Sequence, residues 1–280
     1  MAEARPISSP MSSSSQLSLL AGVEFSDPTL YRSTVDALQY LSITRLDVSF
    51  AVNKVCQFMH RPTDIHWSAV KCILRYLKDN INYGLYLRPS LSTHLSLYSD
   101  ADWASCPDDR KSTSGYCIYL GHNLVSWNSR KQQIVARSST KAEYRAVANA
   151  TAEVLWLKSL FNELGIHVKT RPVLWCDNVG ATYLTANPFF HARTKHVEID
   201  FHFVREQVRN GFLQVQFLSS KDQIADILTK PLVSTRFHTL RTKLNVLLLP
   251  FHFRGDDKDN AAKPHDNDKA HHLDRDNGKL

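Results

Sequence analysis

Apolar residues recur at helical spacing through the first third of the chain and at alternate positions after it. Residues 1–27 carry neither pattern; they are rich in Ser and Pro and read as a disordered linker. Asp27-Pro28 has the form of a helix start, with Asp as the cap and Pro in the first turn. Leu38, Leu41 and Ile43 lead in. Val52, Val55, Cys56 and Met59 form a stripe that Pro62 stops, and Trp67, Val70, Ile73, Leu74 and Leu77 form a second that ends near Gly84. Arg45, Lys54, Arg61, Lys71, Arg75 and Lys78 lie between the stripes and predict a basic face. Residues 28–90 thus read as a small helical subdomain.

The period changes near Arg88-Pro89. Leu95, Leu97 and Ser99 alternate with Ser96, Tyr98 and Asp100, which predicts a strand. Tyr116–Leu120 and Leu124–Asn128 read as a hairpin around Gly121-His122-Asn123, with Gln133–Ala136 as an extension or a further strand. Lys141–Leu164 is the strongest helix, with Gly165 as its terminal cap. A short apolar strand at Val173–Cys176, helices at Val179–Ala186 and Lys195–Asn210, a strand at Leu213–Leu218 and helices at Ile224–Lys230 and Thr235–Leu244 follow. Antiparallel strands followed by a strand after a helical crossover predict a mixed sheet with helices on its faces. Residues 91–249 form this α/β part, and residues 250–280 read as a disordered polar tail.

Composition narrows the partners. The 280 residues carry a net charge of +7. Residues 254–280 hold 6 Lys/Arg and 7 Asp, which leaves +8 on the rest, a balance suited to a polyanion. The five cysteines are widely spaced and form no C-x-x-C pair, which fits reduced thiols rather than a disulfide framework or a zinc site. The expected location is therefore intracellular and reducing: the cytoplasm, with the nucleus as the alternative. No apolar run approaches the ~18 residues of a membrane span.

Four acidic residues stand in segments able to hold them still: Asp100 and Asp177 at strand ends, Glu143 and Asp226 on flanking helices. Each has a plainer explanation. Asp100, or its same-side neighbour Asp102, could cap a turn. Glu143 completes a capping box in Thr140-Lys141-Ala142-Glu143, Asp177 could cap a helix, and Asp226 could face solvent. The spacings of 43, 34 and 49 residues allow all four to meet at one sheet edge. Converging carboxylates repel unless a divalent cation neutralises them, and oxygen ligands suit Mg²⁺ or Mn²⁺. Two such ions clamp the attacking and leaving oxygens of a phosphodiester. His191, His196 and His202 are spaced by five and six residues, which does not stack on a helical face, and read as surface or phosphate contacts. Trp127, Trp156 and Trp175 read as core, and Trp103 as a stacking surface beside the acids.

Several ordered motifs carry a resemblance: Tyr98-Ser99-Asp100-Ala101-Asp102-Trp103-Ala104, Arg110-Lys111-Ser112-Thr113-Ser114-Gly115-Tyr116, Ser138-Ser139-Thr140-Lys141-Ala142-Glu143-Tyr144, Cys176-Asp177-Asn178 and Ala225-Asp226-Ile227-Leu228-Thr229-Lys230. They resemble the ribonuclease H domain of copia-type LTR retrotransposon Pol polyproteins. Upstream, Tyr31-Arg32-Ser33-Thr34-Val35, Ser49-Phe50-Ala51-Val52-Asn53 and Ile73-Leu74-Arg75-Tyr76-Leu77-Lys78 resemble the reverse transcriptase thumb and connection that precede it. The resemblance covers about residues 6–253. It implies a ribonuclease H-like mixed five-stranded sheet with flanking helices, preceded by the helical subdomain. It makes Asp100 rather than Asp102, with Glu143, Asp177 and Asp226, the ligands of two Mg²⁺ (Mn²⁺ as an alternative). It implies hydrolysis of the RNA strand of RNA/DNA hybrids, which are recognised by groove shape, phosphates and 2′-hydroxyls.

Trp103, Ser139, Lys141 and Asn178 are the expected nucleic-acid contacts, and the remaining reverse transcriptase or integrase the expected protein partners. The polymerase palm motifs are not in these 280 residues, so no polymerase activity is expected. Asp36 stands where the family pattern has a small residue, Leu46 where it has Pro, and Ser219-Ser220-Lys221 where many cellular ribonucleases H carry a loop His. The alternative reading is a catalytically inactive nucleic-acid-binding remnant.

Overall fold

The two hydrophobic periods fold into two kinds of layer. The computed structural model describes residues 4–13, 16–186 and 198–249. The stretch 187–197, with His191, His196 and the predicted helix start at Lys195, lies outside the described residues, as does the tail 250–280. Helix α1 spans Pro28–Leu41, and the Asp27 carboxylate accepts from the Leu30 N–H at 2.8 Å, as the Asp-Pro pair predicts. A 3₁₀ turn at Leu46–Val48 leads into α2 (Ser49–Cys56), and α3 follows at Asp64–Asp79. The α3 cap is reciprocal: the Thr63 hydroxyl accepts from the His66 N–H, and His66 Nδ1 accepts from the Thr63 N–H.

Strand β1 (Tyr83–Leu85) precedes the main strands β2 (Leu95–Asp102), β3 (Thr113–Leu120) and β4 (Asn123–Lys131). Gln133–Ala136, a possible strand by pattern, is irregular chain. Next come α4 (Ser139–Glu163), β5 (Val173–Cys176), α5 (Val179–Ala186), α6 (Glu198–Arg209) and β6 (Gln214–Phe217). Ile224–Leu228 is a 3₁₀ turn rather than the predicted helix, and α7 (Ser234–Lys243) leads to β7 (Val246–Leu248). The sheet order is β4-β3-β2-β5-β6, with β2, β3 and β4 antiparallel and β2, β5 and β6 parallel. This is the mixed five-stranded α/β architecture implied by the resemblance. A separate pair, β1 with β7, joins the end of the helical segment to the end of the described chain.

Alternation along the strands sends side chains to two cores. Leu95, Leu97, Tyr116, Ile118 and Leu174 face α4, α5 and α6. Cys117, Tyr119 and Leu124 face the other way, into a core shared with Val35, Val52, Val70, Ile73, Leu228 and Leu240. The helical segment therefore covers one face of the sheet, and the described residues belong to one compact unit ending at Leu249. Strand β3, covered on both faces, is buried along almost its whole length. Among its described residues the Ser/Pro-rich start has no helix and a single bridge residue, Glu24 opposite Thr63, yet it is held down. Met11 and Leu17 are buried, and the Asp108 carboxylate accepts from the Ser18 hydroxyl and the Leu19 N–H.

A buried polar network locks the helical layer to α7. Arg45 donates both Nε and Nη2 to the Asp47 carboxylate at 3.0 and 2.8 Å, and the Tyr76 hydroxyl donates to the same carboxylate at 2.6 Å. Arg241 reaches in from α7, donating to Tyr76 at 3.1 Å and to Asn80 Oδ1 at 2.6 Å. Arg45 is therefore inside rather than on a basic face, while Arg75 and Lys78 donate to the Arg5 and Ala4 carbonyls. The family departures are accommodated: Asp36 is exposed, and Leu46 is fully buried in the shared core. Trp156 is 58% exposed because it lies off the Val154–Leu157–Phe161 stripe, so it is not core.

Replacing Asp47 by Ala leaves Arg45 buried without its counter-charge. Asp47→Ala is predicted to lower the unfolding free energy by about 3–5 kcal/mol in urea denaturation of the full chain. A loss under about 1 kcal/mol, the size of an ordinary substitution, would show that the network does not hold the layers together.

Candidate active site

The four acids arrive from four elements. Asp100 lies near the end of β2, on the face opposite to Leu97 and Ala101, and is 1% exposed. Asp177 follows β5, half-buried. Asp226 lies in the 3₁₀ turn 224–228, which packs under the helical layer, and Glu143 lies in the second turn of α4. Oxygens of Asp100, Asp177 and Asp226 lie within 4.8 Å of one another, and so do ligand atoms of Glu143, Cys176 and Asp177. Asp177 belongs to both groups. The structure brings Asp100, Asp177 and Asp226 together and places Glu143 against Asp177, whereas Asp102 belongs to neither group and is half-buried.

The simpler roles are filled by neighbours. Helix α4 is capped by Ser138, whose hydroxyl accepts from the Lys141 N–H at 3.3 Å, so the predicted Thr140–Glu143 capping box does not form. Glu143 is free to turn to the sheet, toward the backbone at Ala101. Asn178, not Asp177, caps α5, its Oδ1 accepting from the Ala181 N–H at 2.9 Å.

Burial and mutual repulsion dominate the electrostatics. Burial, reinforced by Asp100 and Asp177, raises the Glu143 carboxyl to about 10. Burial raises Asp100 to about 6; Asp226 and Asp177 add to the rise, and Lys230 and a hydrogen bond from Thr229 oppose it. Glu143 Oε2 is buried with no hydrogen-bond partner. The oxygens of Asp100, Asp177 and Asp226, with the partnerless Glu143 Oε2 beside Asp177 and with Asp100 and Glu143 pushed toward protonation, fit a hard divalent cation.

Sequence reasoning missed the positive and neutral residues around these acids. Lys230 Nζ stands 2.9 Å from Asp226 and 3.5 Å from Asp100, and the two carboxylates outweigh its own desolvation to raise its pKa. Its position four residues after Asp226 was the available signal. The Thr229 hydroxyl donates to Asp100, and Arg236 Nη2 lies 3.3 Å from Asp226 while also holding the Ser220 carbonyl. Gly115 pairs with Asp100 across the sheet. A Cβ on it would stand 2.8 Å from the Leu228 Cβ and 3.0 Å from the Thr229 Cγ2, so the missing side chain is what lets the 224–228 turn lie against β3.

The four expected nucleic-acid contacts surround the acids without sharing one role. Trp103 is 48% exposed just beyond β2, and its indole N–H donates to the Ala136 carbonyl at 2.9 Å. Ser139 is exposed in the first turn of α4 and Lys141 is half-buried there. Asn178 spends its carbonyl on the α5 cap. The starts of α4 and α5 touch, since a Cβ on Gly180 would stand 2.8 Å from the Thr140 hydroxyl. His202 is exposed on α6. Among the described residues no helix is long and apolar enough to cross a membrane.

No protein-family model matches the chain. The retrovirus-related Pol polyproteins from transposons RE1 and RE2 of Arabidopsis thaliana are 52% and 51% identical to it over 250 residues, 89% of this chain. The chain spans 17% of the length of each. Among solved structures, LC11-RNase H1 in complex with an RNA/DNA hybrid aligns with a TM-score of 0.38 and 14% identity, over 48% of this chain and 93% of that one.

The close approach at Gly115 yields a prediction. Gly115→Ala forces the 224–228 turn away from β3 and should cost about 1–3 kcal/mol of stability, the range of an overpacked core. Chemical denaturation of the variant measures it, and a change within about 0.5 kcal/mol would contradict the packing described.

Proposed function

This chain belongs to the family of retrovirus-related Pol polyproteins of copia-type transposons, and from that premise we propose that it acts as a divalent-metal-dependent ribonuclease H on the RNA strand of RNA/DNA hybrids. The observation that carries the proposal is the convergence of Asp100, Asp177 and Asp226, with Glu143 reaching Asp177 from the other side. The ribonuclease H-like domain itself follows from the family and the fold.

In this reading Asp100, Glu143, Asp177 and Asp226 hold two Mg²⁺, or Mn²⁺ in their place. Bound there, the ions supply Lewis-acid stabilisation of charge on the attacking and leaving oxygens of a phosphodiester. The chain's own residues prepare that place. Thr229 fixes the Asp100 carboxylate by donating to it, and Arg236 and Lys230 orient Asp226 from two sides. Burial, with Asp100 and Asp177 nearby, raises the Glu143 carboxyl, and a cation bound there would neutralise it in place of a proton. Trp103, Ser139, Lys141 and Asn178 contact the hybrid around the acids, where shape, phosphates and 2′-hydroxyls are read. The rest of a reverse transcriptase or an integrase is the protein partner that the family suggests.

The test is cleavage of a strand-labelled RNA/DNA hybrid by the full chain with Mg²⁺ and with EDTA. Cutting of the RNA strand alone is expected, abolished by EDTA and reduced by about 10²-fold or more in Asp100→Asn and in Glu143→Gln, because each removes an anionic ligand that would hold the cations in place. Hybrid binding by a folded chain that does not cut would replace the enzyme by a binding remnant.

A further inference from the structure

Beside the all-oxygen cluster lies a group of different chemistry. Ser99 on β2 is in parallel register with Cys176 on β5, so both side chains stand on the α4 side of the sheet. Glu143 comes down onto that place from α4, and one ligand atom each from Glu143, Cys176 and Asp177 lies within 4.8 Å of the others. Two polar atoms here have no hydrogen-bond partner: Glu143 Oε2, on a residue 6% exposed, and Ser99 Oγ, on a residue 0% exposed. The Cys176 thiol makes two local hydrogen bonds, accepting from the Asn178 N–H at 3.5 Å and donating to the Asn178 carbonyl at 3.9 Å. Buried polar atoms are almost always paired, so two unpaired ones beside a thiol and two carboxylates mark a place that takes up a ligand.

We propose that Glu143, Cys176 and Asp177 form a second cation position with a mixed sulfur–oxygen donor set, which takes a borderline-soft divalent ion such as Zn²⁺ or Cd²⁺ in preference to Mg²⁺. Thiolate selects such ions, whereas hard ions take oxygen alone. On binding, the Cys176 S–H bond is replaced by a metal–sulfur bond and the proton passes to solvent; nothing is oxidised or reduced. The position shares Glu143 and Asp177 with the acid cluster, so a soft ion there competes with the hard ones. The inference rests on the nuclease reading only for the convergence of those two residues, not for turnover.

The full chain is titrated with Cd²⁺ without Mg²⁺, followed by the ultraviolet sulfur-to-cadmium charge-transfer absorption. A band saturating at one ion per chain is expected. It should vanish in Cys176→Ser and persist in Cys56→Ser and in Cys106→Ser, with thermal melting confirming that each is folded. Glu143→Gln keeps the thiol and should weaken Cd²⁺ binding by about tenfold or more, which carries the test should Cys176→Ser not fold. No band in the wild type, or a band undiminished in folded Cys176→Ser, overturns the proposal. Cleavage in Mg²⁺ is scored separately: a chain that binds Cd²⁺ through Cys176 but does not cut hybrid refutes the nuclease and leaves this site standing.

Discussion

Four carboxylates at one end of a sheet cannot all be ionised and desolvated unless something positive stands among them. That constraint governs the molecule. Lys230 and Arg236 supply part of the charge, and burial pushes the Asp100 and Glu143 carboxyls upward to meet the rest with protons. The scaffold around the acids would resist a simple spreading of the charges. Asp100 is fixed by a strand paired with β3 at that residue and with β5 up to Ser99, Glu143 by a long helix, and Asp226 by a turn wedged between sheet and helical layer. A stable, repulsive arrangement of this kind is more useful for binding cations than for holding a fold together.

The helical layer enters the site through that wedge. Ile224, Ile227 and Leu228 share a core with Val48, Val52 and Phe50, so the turn bearing Asp226 has the sheet on one side and the N-terminal helices on the other. The Ser129 hydroxyl donates to the Leu228 carbonyl at 2.6 Å, and Asn53 of α2 donates to the Ser129 carbonyl at 3.0 Å. The network of Arg45, Asp47, Tyr76 and Arg241 closes the same layer onto α7. A segment resembling part of a polymerase subdomain is, in this chain, structural support for the nuclease-like sheet.

Much of this was legible in the sequence because local periodicity was strong. Asp27-Pro28, the β3–β4 hairpin, α4 with Gly165 and α5 follow directly from caps, turns and spacing. Other features depend on partners distant in sequence. The three-residue strands β1 and β7 carry no period of their own and exist only as a pair. The Glu143 capping box was a sound local inference, but Ser138 caps α4 and Glu143 lies buried against the sheet. Arg45 read as surface because nothing local says that Asp47, Tyr76 and Asn80 would enclose it. The acids stood out as charges beside apolar runs, while Thr229, Lys230, Arg236 and Gly115 did not, since each acquires its part only once the 224–228 turn lies against β3.

The central claim is that the acids form one shared cation site. Its most direct measurement is a titration of the full chain with Mn²⁺ standing in for Mg²⁺, followed by the electron paramagnetic resonance signal of free Mn²⁺. The account predicts uptake by the wild type and affinity weakened by about tenfold or more in Asp100→Asn and in Asp226→Asn, two residues 126 positions apart. Equal Mn²⁺ affinity in the wild type and both folded variants would contradict it.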